Sequence, residues 1–362
     1  MIVGTVRELK SGEFRVGLTP DGVRDLTRLG HRLLVEAGAG EGSGLADAAY
    51  AQAGATVART AGEVWSGADL VVKVKEPQPE EFASLRRGLT LFTYLHLAAS
   101  REVTEALVRS GTTAIAYETV ELADGSLPLL VPMSQIAGRM APIVGARWLQ
   151  HPGPGRGKLL SGLPGAPPAQ VVIFGAGAVA TAACDVAVAL GGRVTALSPR
   201  LEQLRLLEDR WPNRLVTLPS TLANVEKAIE GADLLISGVL VRGGAEAPKL
   251  VSREDLKRIG PGAVIVDVAI DQGGVFESSR PTTHADPVFV EEGVIHYCVP
   301  NMPGAVPHTA TWALTAATLA YVLKLAAMGP AKAISADPAL ARGVMTREGQ
   351  LVNASVARAL GL

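Results

Sequence analysis

Residues 171–200 constrain this chain more than any other stretch; they read VVIF-GAGAVA-TAACDVAVALGG-RVTAL-SPR. Four apolar residues of strand character run directly into a Gly-x-Gly-x-x-Ala turn formed by Gly175, Gly177 and Ala180. An apolar helical stretch follows, Gly191-Gly192 closes it, and a short β-branched strand starts at Arg193. This is the layout of the opening βαβ unit of a dinucleotide-binding domain. The glycines allow a tight turn and let the backbone approach a pyrophosphate, which then sits on the amides of the helix N-terminus. The glycine pattern alone is weak, and its place between a strand and a helix is what makes it specific. Units that bind NAD usually end their second strand on an acid that holds the ribose hydroxyls. Here that place is taken by Ser198-Pro199-Arg200, which leaves open whether NAD or NADP is bound.

A chain of 362 residues is too long for one ordinary core and suits two domains. Its 48% hydrophobic content argues for well-buried globular structure, and a net charge of −1 gives no electrostatic case for nucleic acid or a membrane surface. The N-terminus MIVGTVRELK lacks the basic-then-apolar layout of a signal peptide. The longest apolar stretch is read as residues 171–192, where the glycine turn and Asp185 speak against a membrane span. Cys184 and Cys298 both lie in apolar runs and form neither a disulfide framework nor a metal site, so a reducing cytoplasm is the expected setting.

The first 120 residues alternate strands (MIVGTV, RLLVEA, ATVA, DLVVKV, LTLFTYL, TAIAYETV) with helical patterns such as PDGVRDLTRLG and REVTEALVRSG. A long helical segment spans residues 132–150, a Gly/Pro-rich loop follows, and a second alternation begins at Val171: VVIF, RVTAL, LVTL, DLLISGV, AVIVDVA, VIHYCV. From Thr309 the chain is expected to finish in helices, the last over residues 354–360. The expected fold class is α/β, with two doubly wound Rossmann-like domains of mostly parallel sheet linked by long crossing helices. A substrate domain of residues 1–131 plus 309–362 and a dinucleotide domain of residues 132–308 are the expected boundaries.

Ligands of doubly wound sheets bind beyond the carboxyl ends of the strands. The polar residues found there are Arg15, Lys73, Lys75, His96 and Glu118 in the first half, and Ser134, Ser237, Asp267 and Asp271 in the second. Each has a plain alternative: a loop charge for Arg15, a solvated strand exit for Lys75, a satisfied core histidine for His96, a turn-forming acid for Asp271. For Asp267, flanked by valines, a structural hydrogen-bonding role is favoured. Their joint placement at strand ends in two domains is what raises the functional reading, with nucleotide on one side of a cleft and substrate on the other.

The blocks EFRVGLTPDGV (13–23), ADLVVKVKEPQP, LFTYLHLAA, LPLLVPMSQIAGRMA, GADLLISGVL, AVIVDVAIDQGG and VIHYCVPNMPGAVP, in this order, resemble the family of alanine dehydrogenases and the NAD-binding subunits of proton-translocating transhydrogenases. The MSxxAGRMA and HYCVxNMPGAVP blocks favour the dehydrogenase branch. The resemblance implies reversible oxidative deamination of L-alanine to pyruvate and ammonium with a nicotinamide nucleotide, and a homo-oligomer, a hexamer in this family. It implies Arg15 and Lys75 as substrate-binding residues and His96 with Asp271 as the catalytic pair. Ser134, Val239, Leu240, Asn301 and Met302 match positions lining the nucleotide and the cleft. The chain departs from the pattern at Ser198, where most relatives carry Asp, and at Pro300 and His308. Two other readings stand beside it: a reductive aminase of the same family for a bulkier 2-oxo acid, and a transhydrogenase-type subunit that performs no deamination.

Overall fold

The computed structural model describes residues 1–239, 241 and 246–361. The chain forms two compact units, Met1–Met133 with Val306–Leu362, and Ser134–Ala305.

The sheet of the first unit contains β1 (Ile2–Thr5), β2 (Arg32–Glu36), β3 (Thr56–Ala58), β4 (Leu70–Val72), β5 (Thr90–Thr93), β6 (Thr113–Ala116), β14 (Val344–Arg347) and β15 (Gln350–Leu351). Their order is β15-β14-β6-β5-β4-β1-β2-β3, and β1 to β6 are parallel. The central strands are buried on both faces and accordingly read as unbroken apolar runs, β4 being Leu-Val-Val. The winding starts at β1, runs outward to β3, then crosses back to β4, so chain direction diverges between β1 and β4. The carboxyl ends of strands at such a divergence are the usual ligand site of these sheets.

Four sequence expectations need correction. The chain does not finish in helices alone, because β14 and β15 form an antiparallel hairpin beside β6. Its turn, Glu348-Gly349, has positive φ at both residues (55° and 85°), the geometry that a two-residue hairpin requires. The two strands are too short to show period-two patterning. The TAIAYETV strand stops at Ala116, where Tyr117–Thr119 turn into a 3-10 helix and Tyr117 packs edge-on against Phe92 and Tyr94 at 4.4 and 5.0 Å. The final long helix is Pro307–Met328, and among the described residues it, rather than the stretch 171–192 with its shorter helix Ala178–Ala189, is long and apolar enough to cross a membrane by length and composition. Its buried stripe (Ala310, Leu314, Thr318, Val322, Leu325) is instead packed within the first unit, against the Pro20–Arg28 helix among others. The last correction lies at the edge of the second sheet.

That sheet contains β7 (Gln170–Phe174), β8 (Arg193–Leu197), β9 (Leu215–Leu218), β10 (Leu234–Ser237), β11 (Val264–Asp267), β12 (Val288–Glu291) and β13 (Val294–Tyr297). The order is β12-β13-β11-β10-β7-β8-β9, with β12 the antiparallel edge strand that no sequence pattern announced. The winding again diverges beside its first strand, between β7 and β10. The Ala178–Ala189 helix is built almost wholly of small residues and lies close over β7 and β10. Ala180 is fully buried, and a methyl added to Gly238 would come within 2.8 Å of its Cβ. A larger residue at either place would push helix and strand apart.

Candidate active site

In the first unit, Arg15, Lys75 and His96 follow β1, β4 and β5, three neighbouring strands. The loop that carries Arg15 is drawn over the end of β4 at Gly17, where any Cβ would lie 2.5 Å from the carbonyl oxygen of Val72. Glycine is obligatory at that close approach. On either side of Arg15, the Ser43 hydroxyl donates to Phe14 O (2.9 Å) and the Val16 amide donates to Thr311 Oγ1 (3.2 Å), while Ser43 and Thr311 bond each other at 2.8 Å. The backbone is thus pinned before the side chain does anything.

Arg15 is 2% exposed. Its Nε and Nη2 donate to the two carboxylate oxygens of Glu13 at 2.7 and 2.5 Å, a fork on a fork, and its amide donates to Glu13 at 3.1 Å. Nη1 faces the thioether of Met133 at 2.9 Å, a weak acceptor. Burial works to raise the Glu13 carboxyl, but the hydrogen bonds and charge of Arg15 hold it below the ordinary value.

Lys75 is also buried, at 8% exposure, and among the described residues no side chain or carbonyl bonds its ammonium. Burial, then the charges of Arg15 and Lys10, depress its pKa below that of a free lysine. Since Glu13 cancels Arg15, the charge of Lys75 is left over. A site of that kind attracts one carboxylate, and the carboxylate in turn removes the strain of a buried cation.

Lys73, two residues earlier, is a different case. It is fully buried between Glu8 (3.1 Å) and Glu81 (2.7 Å), so it serves the fold and not the crevice.

His96 is not a core histidine. It is exposed, just past β5, with φ of +48°, in the left-handed region that non-glycine residues rarely occupy. Its ring stacks on that of Tyr94 at 6.1 Å between centroids, and Tyr94 is fixed by its hydroxyl donating to Leu129 O at 2.6 Å. The Glu118 carboxylate accepts from the His96 amide at 2.7 Å and from the Leu95 amide at 3.1 Å.

In the second unit, the glycine turn, Ser198, Val239 and Asp271 follow β7, β8, β10 and β11, again neighbouring strands, while Asn301 and Met302 follow β13. Gly175 has φ of +108°, and a Cβ there would meet Gly238 O at 2.9 Å. At Gly177, by contrast, a Cβ would meet nothing within 4 Å. Gly177 is the N-cap of the Ala178–Ala189 helix, and no side chain caps that terminus. Open space over uncapped helix amides fits the pyrophosphate of a dinucleotide. Ser198 is 2% exposed, and its Oγ accepts from the Arg200 amide at 3.2 Å, while Arg200 itself is exposed.

Asp271 is exposed, in the 3-10 segment Val268–Gln272 after β11. Asp267 organises that segment: it accepts from Ser237 Oγ (2.5 Å), Ser279 Oγ (2.6 Å), Val275 N (3.0 Å) and Ala269 N (3.2 Å). Ser237 is absorbed in the same network. Ser134 is half-buried on the Val131–Trp148 helix, Val239 half-buried past β10, and Asn301 half-buried with φ of +58°. Met302 is 2% exposed and packs into the core of the second unit. Leu240 lies outside the described residues.

Sequence reasoning missed Glu13 and Met133. Glu13 had a readable signal, an acid two residues before a candidate arginine, but only burial shows that the two form one unit.

The N-terminal domain model of the alanine dehydrogenase/PNT family matches residues 4–137, and its C-terminal domain model matches residues 141–354. An alanine dehydrogenase of Mycolicibacterium smegmatis is 51% identical over 362 residues, covering 100% of this chain and 97% of that protein. One of Bacillus subtilis is 50% identical over 363 aligned positions, covering 100% and 95%. A solved L-alanine dehydrogenase superposes with a TM-score of 0.96 at 50% identity, covering 100% and 99% of the two chains. A transhydrogenase from Sinorhizobium meliloti superposes with a TM-score of 0.82 at 26% identity, covering 98% and 100%. With both halves matched and the blocks in register from end to end, the chain belongs to the alanine dehydrogenase/PNT family.

Proposed function

We propose that this protein is an alanine dehydrogenase, an oxidoreductase that interconverts L-alanine with pyruvate and ammonium using a nicotinamide nucleotide. The first unit is the substrate and catalytic domain and the second the nucleotide domain. The observation that carries the reading is Lys75, a buried ammonium beside a neutralised Arg15, next to an exposed histidine. The half-identical dehydrogenases, against 26% for the transhydrogenase, favour deamination over a subunit that only passes hydride.

Arg15 and Lys75 hold the substrate carboxylate, which gives a small amino acid one fixed orientation. Lys75 also polarises the oxygen at C2 of pyruvate as charge gathers there. The bound nicotinamide supplies the acceptor for the hydride leaving Cα. The resulting iminium must be attacked by water, and the carbinolamine must then expel ammonia. The His96 imidazole takes the proton from the attacking water and returns one to the departing nitrogen. Asp271 is the second member of the catalytic pair.

Gly175, Gly177 and Ala180 shape the pyrophosphate site, and Ser134, Val239, Asn301 and Met302 line the nucleotide. NAD is the principal cofactor. Because Ser198 carries no charge to repel a 2′-phosphate and Arg200 is exposed beside it, NADP is also accepted. The protein acts in the cytoplasm as a homo-oligomer, a hexamer as is usual for the family.

The test is an assay of pyruvate and ammonium run in parallel with NADH and NADPH. Turnover of pyruvate with NADH is expected, with slower NADPH oxidation; no ammonium-dependent turnover rejects the function, and none with NADPH rejects the phosphate reading alone. His96→Ala and Asp271→Asn should each lower kcat by about 10²- to 10⁴-fold while NADH still binds. Near-normal turnover of either variant removes that residue from the catalytic pair.

A further inference from the structure

We infer that Glu118 is a positioning residue for catalysis, a carboxylate clamp that holds the backbone of His96 in its strained conformation. The inference rests on the reading of His96 as the proton-transfer group. Glu118 lies in the 3-10 segment Tyr117–Thr119 that leaves β6, and His96 follows β5. The two strands are paired, with Thr93 opposite Ala116, so the segments emerge side by side.

The backbone of His96 sits at φ 48° and ψ 39°, left-handed, as N-cap of the short 3-10 segment Leu97–Ala99. A β-carbon in that region is crowded by its own carbonyl, and a non-glycine residue stays there only if its surroundings over-determine it. Two restraints act here. The His96 carbonyl accepts from the Ala99 amide at 3.0 Å, closing the turn from the far side. On the near side one Glu118 oxygen takes both the His96 amide (2.7 Å) and the Leu95 amide (3.1 Å), and the other oxygen lies 3.3 Å from Leu95 N.

Neither restraint uses the His96 side chain, which makes no capping bond. The imidazole is left to the substrate while the backbone beneath it is fixed. Charge-assisted bonds to two successive amides are the stronger kind, and no other side chain bonds the Leu95 or His96 amide among the described residues. Without the clamp, position 96 relaxes toward ordinary backbone regions and the ring swings with it. The residue stays in place as a chemical group but leaves its working geometry, which lowers kcat and spares the binding of substrate by Arg15 and Lys75.

Glu118→Ala, Glu118→Gln and His96→Ala, made in the full-length protein, test this. Glu118→Ala is expected to lose about 10- to 100-fold in kcat, the population cost of releasing a left-handed residue. KM for pyruvate and the affinity for NADH should stay near wild type. Glu118→Gln, whose amide oxygen can still take both amides, should recover most of the loss. Wild-type kcat in Glu118→Ala, or a glutamine variant as impaired as the alanine one, overturns the clamp.

Should Glu118→Ala not fold, a double-mutant cycle with Glu118→Ser, whose hydroxyl is too short to reach the two amides, and His96→Gly on the urea midpoint decides it. Glycine adopts the left-handed region without strain, so the Glu118 substitution should cost less in the His96→Gly background. Strict additivity overturns the clamp. Activity retained in His96→Ala would overturn the catalytic reading instead, and the cycle would still read the backbone restraint.

Discussion

Replacing Glu13 by glutamine is the sharpest probe of how the substrate arginine is built. In the native protein the Glu13 carboxylate takes three donors from Arg15, the Nε at 2.7 Å, Nη2 at 2.5 Å and the amide at 3.1 Å. Both side chains are buried, at 2% and 0% exposure. Glutamine keeps one oxygen, but its NH2 faces a donor of the guanidinium and the neutralising charge is gone. Breaking one side of a buried, hydrogen-bonded pair costs about 3–5 kcal/mol, mostly because the remaining charge is left in a poorly solvated place. The melting temperature should fall on the order of 10 °C. Arg15 should also turn away from the crevice, raising KM for pyruvate more than it lowers kcat.

The same pair makes a pH prediction. The Glu13 carboxyl titrates below its ordinary 4.5 in the folded protein, because Arg15 outweighs the opposing effect of burial. A depressed carboxyl contributes stability that is full above the unfolded value and lost as pH falls through the folded one. Wild type should therefore lose stability below about pH 4.5 more steeply than Glu13→Gln, which has no proton to take up there. Thermal melts from pH 3 to 8 with pyruvate kinetics at neutral pH measure all of this. A variant that melts with wild type and keeps its KM would refute the idea that Glu13 holds Arg15.

Two further outcomes are expected. Lys75 has a lowered pKa through burial and then the Arg15 and Lys10 charges, so affinity for pyruvate should fall as pH rises through a value below the ordinary 10.5. Lys75→Arg should move that limb upward, and an unmoved limb would assign it to another group. Ser198→Asp should raise KM for NADPH on the order of 10-fold or more by like-charge repulsion while NADH turnover persists, and equal effects on both nucleotides would dismiss a phosphate contact beside Arg200.

The second unit was the more legible half. The strand–glycine turn–helix pattern of residues 171–200 depends on backbone approach and on period, both written locally, and β7, the Ala178–Ala189 helix and β8 form where the pattern puts them. The first unit was legible as an alternation of strands but not as a site. Lys73 and Lys75 look alike in DLVVKVKEP, yet one is closed in by Glu8 and Glu81 and the other has no bonded acid among the described residues. Which lysine faces the crevice depends on where residues 8 and 81 arrive, and no local pattern encodes that. Likewise the hairpin of β14 and β15 is visible only through its Glu-Gly turn, because its strands gain their stability from β6, far away in the chain.

The sequence by itself determined the α/β class, the nucleotide turn, and the strand-end placement of Arg15, Lys75, His96 and Asp271. These follow from hydrophobic period and from the rule that a parallel sheet offers its carboxyl ends. Tertiary structure decided the electrical state of those groups. Arg15 is neutralised because Glu13 is buried with it, Lys75 is buried with no acid bonded to its ammonium among the described residues, and His96 stands in a left-handed turn because Glu118 comes alongside from the next strand. The physical reason is that burial and charge pairing are properties of residues distant in the chain and close in space. A sequence names the candidates for chemistry, and the packing around each one sets what it can do.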